Sequence, residues 1–151
     1  MNYTYEFEES DGVFVIHTFD DGEELSDYQI RTAELDDLGH DDERISEWVT
    51  HLMSKTWMTH DGLYQLSREI RKHYPQSQID WRATFSVIER ARYFKQKEQE
   101  AGLNEEDRGA GAFDRLLKGI TFRKELREQP GFDEMIKRQV DAKIKEEGIE
   151  E

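Results

Sequence analysis

In the first third of the chain, apolar residues recur at every second position. Tyr3, Tyr5 and Phe7 alternate with Thr4, Glu6 and Glu8, the period of a strand with one buried and one wet face. Ser10-Asp11-Gly12 follows, and Asp and Gly tolerate the positive φ of a tight hairpin turn. Val13 to Phe19 then reads as a second strand, so residues 2–19 predict a β-hairpin. Asp20-Asp21-Gly22 repeats the turn signal. Glu23 to Arg31 is a weaker third strand, because its Leu25, Asp27, Gln29 alternation keeps neither face apolar. Ala33 to His40, containing Glu34, Asp36, Asp37 and Gly39, reads as an acidic connector.

Beyond it the period changes from two to about 3.6. Ile45, Trp48, Val49, Leu52 and Met53 line one face of a helix over 41–55, with Asp41, Asp42 and Glu43 in its first turn, where the helix dipole favours anions. Thr59 caps a second helix carrying Leu63, Leu66 and Ile70, which ends before Tyr74-Pro75. A third, over 79–100, turns Trp81, Phe85, Ile88 and Tyr93 or Phe94 inward and stops at Gly102. Asn104 caps a fourth, weakened by Gly109 and Gly111, after which Phe113, Leu116, Leu117 and Ile120 resume the apolar stripe. Pro130, in the first turn, opens a fifth whose Phe132, Met135, Ile136, Val140 and Ile144 face inward and which ends near Gly148.

Strands first and helices after predict an α+β protein: an N-terminal antiparallel hairpin or small sheet packed on a bundle of about four to five helices. The whole is expected as one domain over residues 1–151, with an acidic β-rich part at 1–40, a helical part at 41–147 and a frayed tail at 148–151. If Tyr3, Tyr5 and Phe7 face the bundle, Glu6 and Glu8 face away.

Charge sharpens this picture. The net charge of −14 resides in residues 1–47, which hold 16 Asp and Glu against Arg31 and Arg44, while residues 48–151 hold 19 acidic and 19 basic side chains. A field of one sign confined to one region attracts basic partners and repels nucleic acid and anionic membrane. The expected partner is a basic protein surface, such as one that normally holds nucleic acid; direct nucleic-acid binding and membrane binding are not expected, and the chain is expected to be a monomer or homodimer. The candidate contact residues are Glu6, Glu8, Asp20, Asp21, Glu23, Glu24, Asp36 and Asp37, with Tyr28 as the desolvated aromatic anchor that interfaces require. In composition the chain resembles small regulatory inhibitors such as phage counter-defence and toxin-immunity proteins. The start of the chain carries no basic, apolar leader and no apolar run approaches a membrane span, which predicts the cytoplasm of a bacterium or an infected host cell.

Catalytic chemistry has few candidates. The absence of cysteine excludes disulfides, thiolate zinc sites and cysteine nucleophiles. His40-Asp41 and His60-Asp61, with His51 and Asp80, resemble the order of metal ligands in HD-type phosphohydrolases, although Asp61 is equally explained by the helix start after Thr59. The clusters Asp20, Asp21, Glu23, Glu24 and Asp36, Asp37, Asp41, Asp42 lack the alternating spacing of a calcium loop. Gly109-Ala110-Gly111-Ala112 lacks the ending of a phosphate loop. No cofactor or metal is expected, and no catalytic residue. Residues 68–97 carry eight Lys or Arg against Glu69, Asp80 and Glu89, interleaved with Tyr74, Trp81, Phe85, Tyr93 and Phe94; the helical spacing of Trp81, Phe85 and Ile88 assigns these three to a core rather than to a base-stacking platform.

Overall fold

The computed structural model describes residues 2–102 and 112–149, with side chains omitted for 112–116. The fold is α+β. Strands β1 (Tyr3–Ser10), β2 (Val13–Asp20) and β3 (Glu23–Arg31) precede helices α1 (Thr32–Leu38), α2 (Asp42–Thr56), α3 (His60–His73), α4 (Trp81–Glu100), α5 (Ala112–Glu128) and α6 (Phe132–Glu146). The chain divides into two compact units, Met1–Ile88 and Glu89–Glu151, so the division falls inside α4 rather than where strands give way to helices.

In the first unit the strands form an antiparallel sheet of order β1-β2-β3. Both hairpins close on Asp-Gly pairs with positive φ at each residue, Asp11 and Gly12 (50° and 79°) and Asp21 and Gly22 (50° and 87°). This turn geometry matches the right-handed twist of the flanking strands. Phe14, Ile16 and Thr18 of β2 are fully buried, while Val13, Val15, His17 and Phe19 between them are only half-buried. Tyr3, Tyr5 and Phe7 share the inner face with them, and Thr4, Glu6 and Glu8 the outer one.

The third strand is fully formed, and its pattern has a cause. Thr18 pairs with Ser26 but Phe19 pairs with Glu24, so Leu25 is the extra residue of a β-bulge. The inner positions are therefore Ser26, Tyr28 and Ile30, opposite Thr18, Ile16 and Phe14. The segment expected to be an acidic connector is also ordered: α1 buries Leu35 and Leu38 and ends at Gly39, whose φ is 50°.

The inner face lies against α2 and α3. Asp41 caps α2 by accepting from the Glu43 and Arg44 amides at 3.0 and 3.2 Å, and Ile45, Val49 and Leu52 supply its buried stripe. Thr59 caps α3 by accepting from the Gly62 amide at 3.1 Å. A Cβ on Gly62 would meet Met58 Cγ at 2.6 Å and Tyr5 Cε2 at 3.1 Å, so the approach of α3 to β1 requires glycine. At the far end of the sheet, the Phe14 ring meets Phe7, His73 and Tyr74 with centroids 5.8 to 6.2 Å apart. Asp80 caps α4 through the Ala83 amide at 2.9 Å.

The second unit buries Phe132, Ile136, Val140 and Ile144 of α6, together with Phe94 and Leu126. Phe94 and Phe132 stack with centroids 5.8 Å apart, and Arg123 pairs with Glu98. The apolar stripe expected on α5 is only partly turned inward. Leu117 and Ile120 are 46% and 56% exposed whereas Leu126 is buried, because a turn of about 100° per residue puts Leu117 on the side of the helix opposite Leu126. Pro130 precedes the N-cap Gly131 instead of lying in the first turn of α6. Behind α6, Gly148 adopts a φ of 67° and the Ile149 amide donates to the Ile144 carbonyl at 3.1 Å, which closes the helix. The expected cap Asn104, the glycines Gly109 and Gly111, and the terminal Glu150 and Glu151 lie outside the described residues. Among the described residues no helix is long and apolar enough to cross a membrane.

Candidate functional site

The outer face of the sheet gathers acidic side chains from both edge strands around the apolar centre of β2. Hairpin register places Glu6 opposite His17 and Glu8 opposite Val15 on one side, and Asp27 opposite His17 and Glu24 opposite Phe19 on the other. His17 is the polar residue at the middle of this face. Its Nε2 lies 3.1 Å from Glu8 Oε2, and its Nδ1 lies 3.2 Å from Glu24 Oε1 and 3.4 Å from Asp27 Oδ1, so one imidazole links all three strands.

Those carboxylates set its protonation. The hydrogen bond to Glu8, then that to Glu24, push the His17 pKa from 6.5 up to about 9 against the opposing effect of burial. At neutral pH His17 is therefore a cation that offsets part of the surrounding negative charge. Asp27 is held below the usual carboxylate range by its interaction with the neighbouring Glu24 and by His17. His17, Glu24 and Asp27 present ligand atoms within 4.8 Å of one another, and among the described residues they form the group able to hold a metal ion. An ion there would compete with the His17 proton.

The expected contact residues separate into three places. Glu6, Glu8 and Glu24 share the outer face. Asp20, Asp21 and Glu23 cluster at the β2–β3 turn, where Asp20 Oδ1 accepts from the Asn2 amide at 3.2 Å and the Asp21 amide donates to the Asn2 carbonyl at 3.1 Å. Asp36 and Asp37 belong to α1, where Asp36 Oδ1 accepts from the Gln78 amide at 2.8 Å and the Asp37 carbonyl accepts from Arg44 Nη1 at 3.0 Å. Tyr28 sits on the inner face, its ring 6.0 Å from that of His51 on α2. It cannot be the aromatic anchor of an outer acidic face. His17 and Asp27 were not among the expected contacts, although counting back from the Asp11-Gly12 turn places His17 opposite Glu6.

The histidine–aspartate pairs take other positions. His40 Nδ1 lies 2.7 Å from Asp80 Oδ2. Burial opposes ionisation of Asp80, but the Ala83 amide and His40 outweigh it and leave its pKa lowered. His60 and Asp61 occupy the first turn of α3, and among the described residues none of these joins a group able to hold a metal ion. The aromatics of the basic stretch are drawn into packing: Phe85 is fully buried, Tyr74 faces Phe14, and Tyr93 contacts Phe132 at 5.7 Å. No protein-family model, curated protein or solved structure matches the chain.

Proposed function

We propose that this is a non-enzymatic interaction protein that docks its acidic N-terminal sheet on a basic surface of another protein, in the manner of an inhibitor or a mimic of nucleic acid. The observation that supports this reading is the outer sheet face, where carboxylates of Glu6, Glu8, Glu24 and Asp27 flank half-buried Val15 and Phe19. Lys and Arg side chains match such a face, because their stems cover apolar surface while their charged heads reach the carboxylates. The acidic turn at Asp20, Asp21 and Glu23 extends the same field and speeds encounter with a cationic partner.

The test is capture of partners from the native host at low and high salt. Exposed charges are screened beyond about 8 Å at physiological ionic strength, so the partner should be a basic protein released by salt. Retention unchanged by salt, or capture of acidic proteins only, would refute the reading. A second reading, an assembly subunit that associates through helix faces, is favoured by one observation: Leu117 and Ile120 are exposed on α5. It predicts self-association that Leu117→Glu and Ile120→Glu abolish, measured by sedimentation.

A further inference from the structure

The last two carbonyls of α2 and that of its C-cap residue, Trp57, are each met by a hydroxyl from a different strand. Ser26 Oγ of β3 reaches the Lys55 carbonyl at 3.5 Å, Thr18 Oγ1 of β2 donates to the Thr56 carbonyl at 2.9 Å, and Tyr5 Oη of β1 donates to the Trp57 carbonyl at 2.8 Å. Tyr5, Thr18 and Ser26 lie in one register row. Together they fix Trp57 at φ 53° and ψ 25°, a left-handed conformation that glycine normally supplies at the end of a helix. A bulky residue there is an outlier held at a cost in strain. The side chain so placed is not buried in exchange: Trp57 is 44% exposed, and Leu25, the bulged residue next to Ser26, is 43% exposed.

This row lies two residues from the β2–β3 turn, the end of the sheet that carries Asp20, Asp21, Glu23 and Glu24. We infer that Trp57 is the apolar anchor of an interaction surface whose occupant is an arginine-bearing segment of a protein partner, the indole face taking a guanidinium while the acidic turn pairs with neighbouring cations. The inference rests on the docking reading above and places the anchor at the end of the sheet by the acidic turn, next to the inner-face row of Tyr5, Thr18 and Ser26, rather than on the outer face. A planar guanidinium stacks on an aromatic face and pairs with carboxylates in a way a lysine ammonium does not, so this surface discriminates between two peptides of equal charge.

The test uses the full chain with octa-arginine and octa-lysine peptides at physiological salt, comparing the parent with Trp57→Gly and with Trp57→Asn. Both replacements tolerate the left-handed conformation. The parent should bind octa-arginine several-fold more tightly than octa-lysine. Each variant should match or exceed the parent's thermal midpoint, lose about tenfold in octa-arginine affinity, and show an arginine-to-lysine ratio near one. A lower midpoint in both variants would assign the indole to packing and overturn the inference, as would an undiminished arginine preference. If neutralising Asp20, Asp21, Glu23 and Glu24 weakens both peptides while Trp57→Gly weakens neither, the anchor is refuted and acidic docking stands. If neither peptide binds the parent in a salt-sensitive way, both fail.

Discussion

On the inner face of the sheet, Phe14, Ile16 and Thr18 are fully buried beneath α2 and α3, whereas Val13, Val15, His17 and Phe19 of the same strand are only half-buried, and three of them pair with residues that carry carboxylates: Val15 with Glu8, His17 with Glu6 and Asp27, and Phe19 with Glu24. On the inner side polar groups are tied into the fold: Thr18 Oγ1 donates to the Thr56 carbonyl at 2.9 Å, and Tyr74 Oη donates to Glu9 at 2.8 Å. The outer face instead gathers like charges that stability alone would disperse, and offsets part of them with a histidine cation. One strand thus separates residues that hold the fold from residues that present a field. Substitutions on its two sides should therefore differ in kind.

The largest effect is expected from Phe14→Ala, which removes a fully buried ring in contact with Phe7, His73 and Tyr74. Chemical denaturation should show a loss of about 3–5 kcal/mol. Thr18→Val comes next. It keeps the shape but leaves the Thr56 carbonyl without its hydroxyl donor, which should cost about 1–3 kcal/mol. A loss as large as that of Phe14→Ala at an outer position such as Val15→Ala would break the contrast between the faces.

His17 tests the outer face through pH. Because its pKa is raised from 6.5 to about 9 in the folded protein, the stabilisation it gives is fully present below 6.5 and is lost as pH rises through about 9. The stability difference between the parent and His17→Gln should therefore be greatest at pH 6 and shrink steadily toward pH 10. A difference that is flat across that range would show that the contacts to Glu8, Glu24 and Asp27 do not hold the proton. The smallest effect on folding is expected from Glu6→Gln, an exposed change outside the His17 hydrogen bonds, which chemical denaturation should show to shift stability by only about 0.5 kcal/mol in either direction.

Much of this contrast was legible in the sequence. The Tyr3, Tyr5, Phe7 alternation and the two Asp-Gly turns specify the hairpins, and Thr59 caps α3 as its position suggests, while Asp41, read into the first turn of α2, is instead its cap. What stayed hidden depends on register or on packing between elements. The bulge at Leu25 shifts the parity of β3, so Tyr28, which reads as an outward anchor, turns inward to His51. α1 is only seven residues long, with Leu35 and Leu38 as its buried positions and no side-chain cap, too little periodicity to separate from a connector. The periodicity of the chain does not mark Trp57 at all. Its left-handed conformation follows from carbonyl contacts to three strands distant in sequence.

The most direct test of the central claim is partner capture by a variant in which Glu6, Glu8, Glu24 and Asp27 are all changed to Lys. These carboxylates face outward around His17, so the variant should remain folded by circular dichroism while losing its salt-sensitive basic partner by a hundredfold or more in affinity, about 2.7 kcal/mol or more. A folded variant that still binds that partner with parental affinity would contradict the claim.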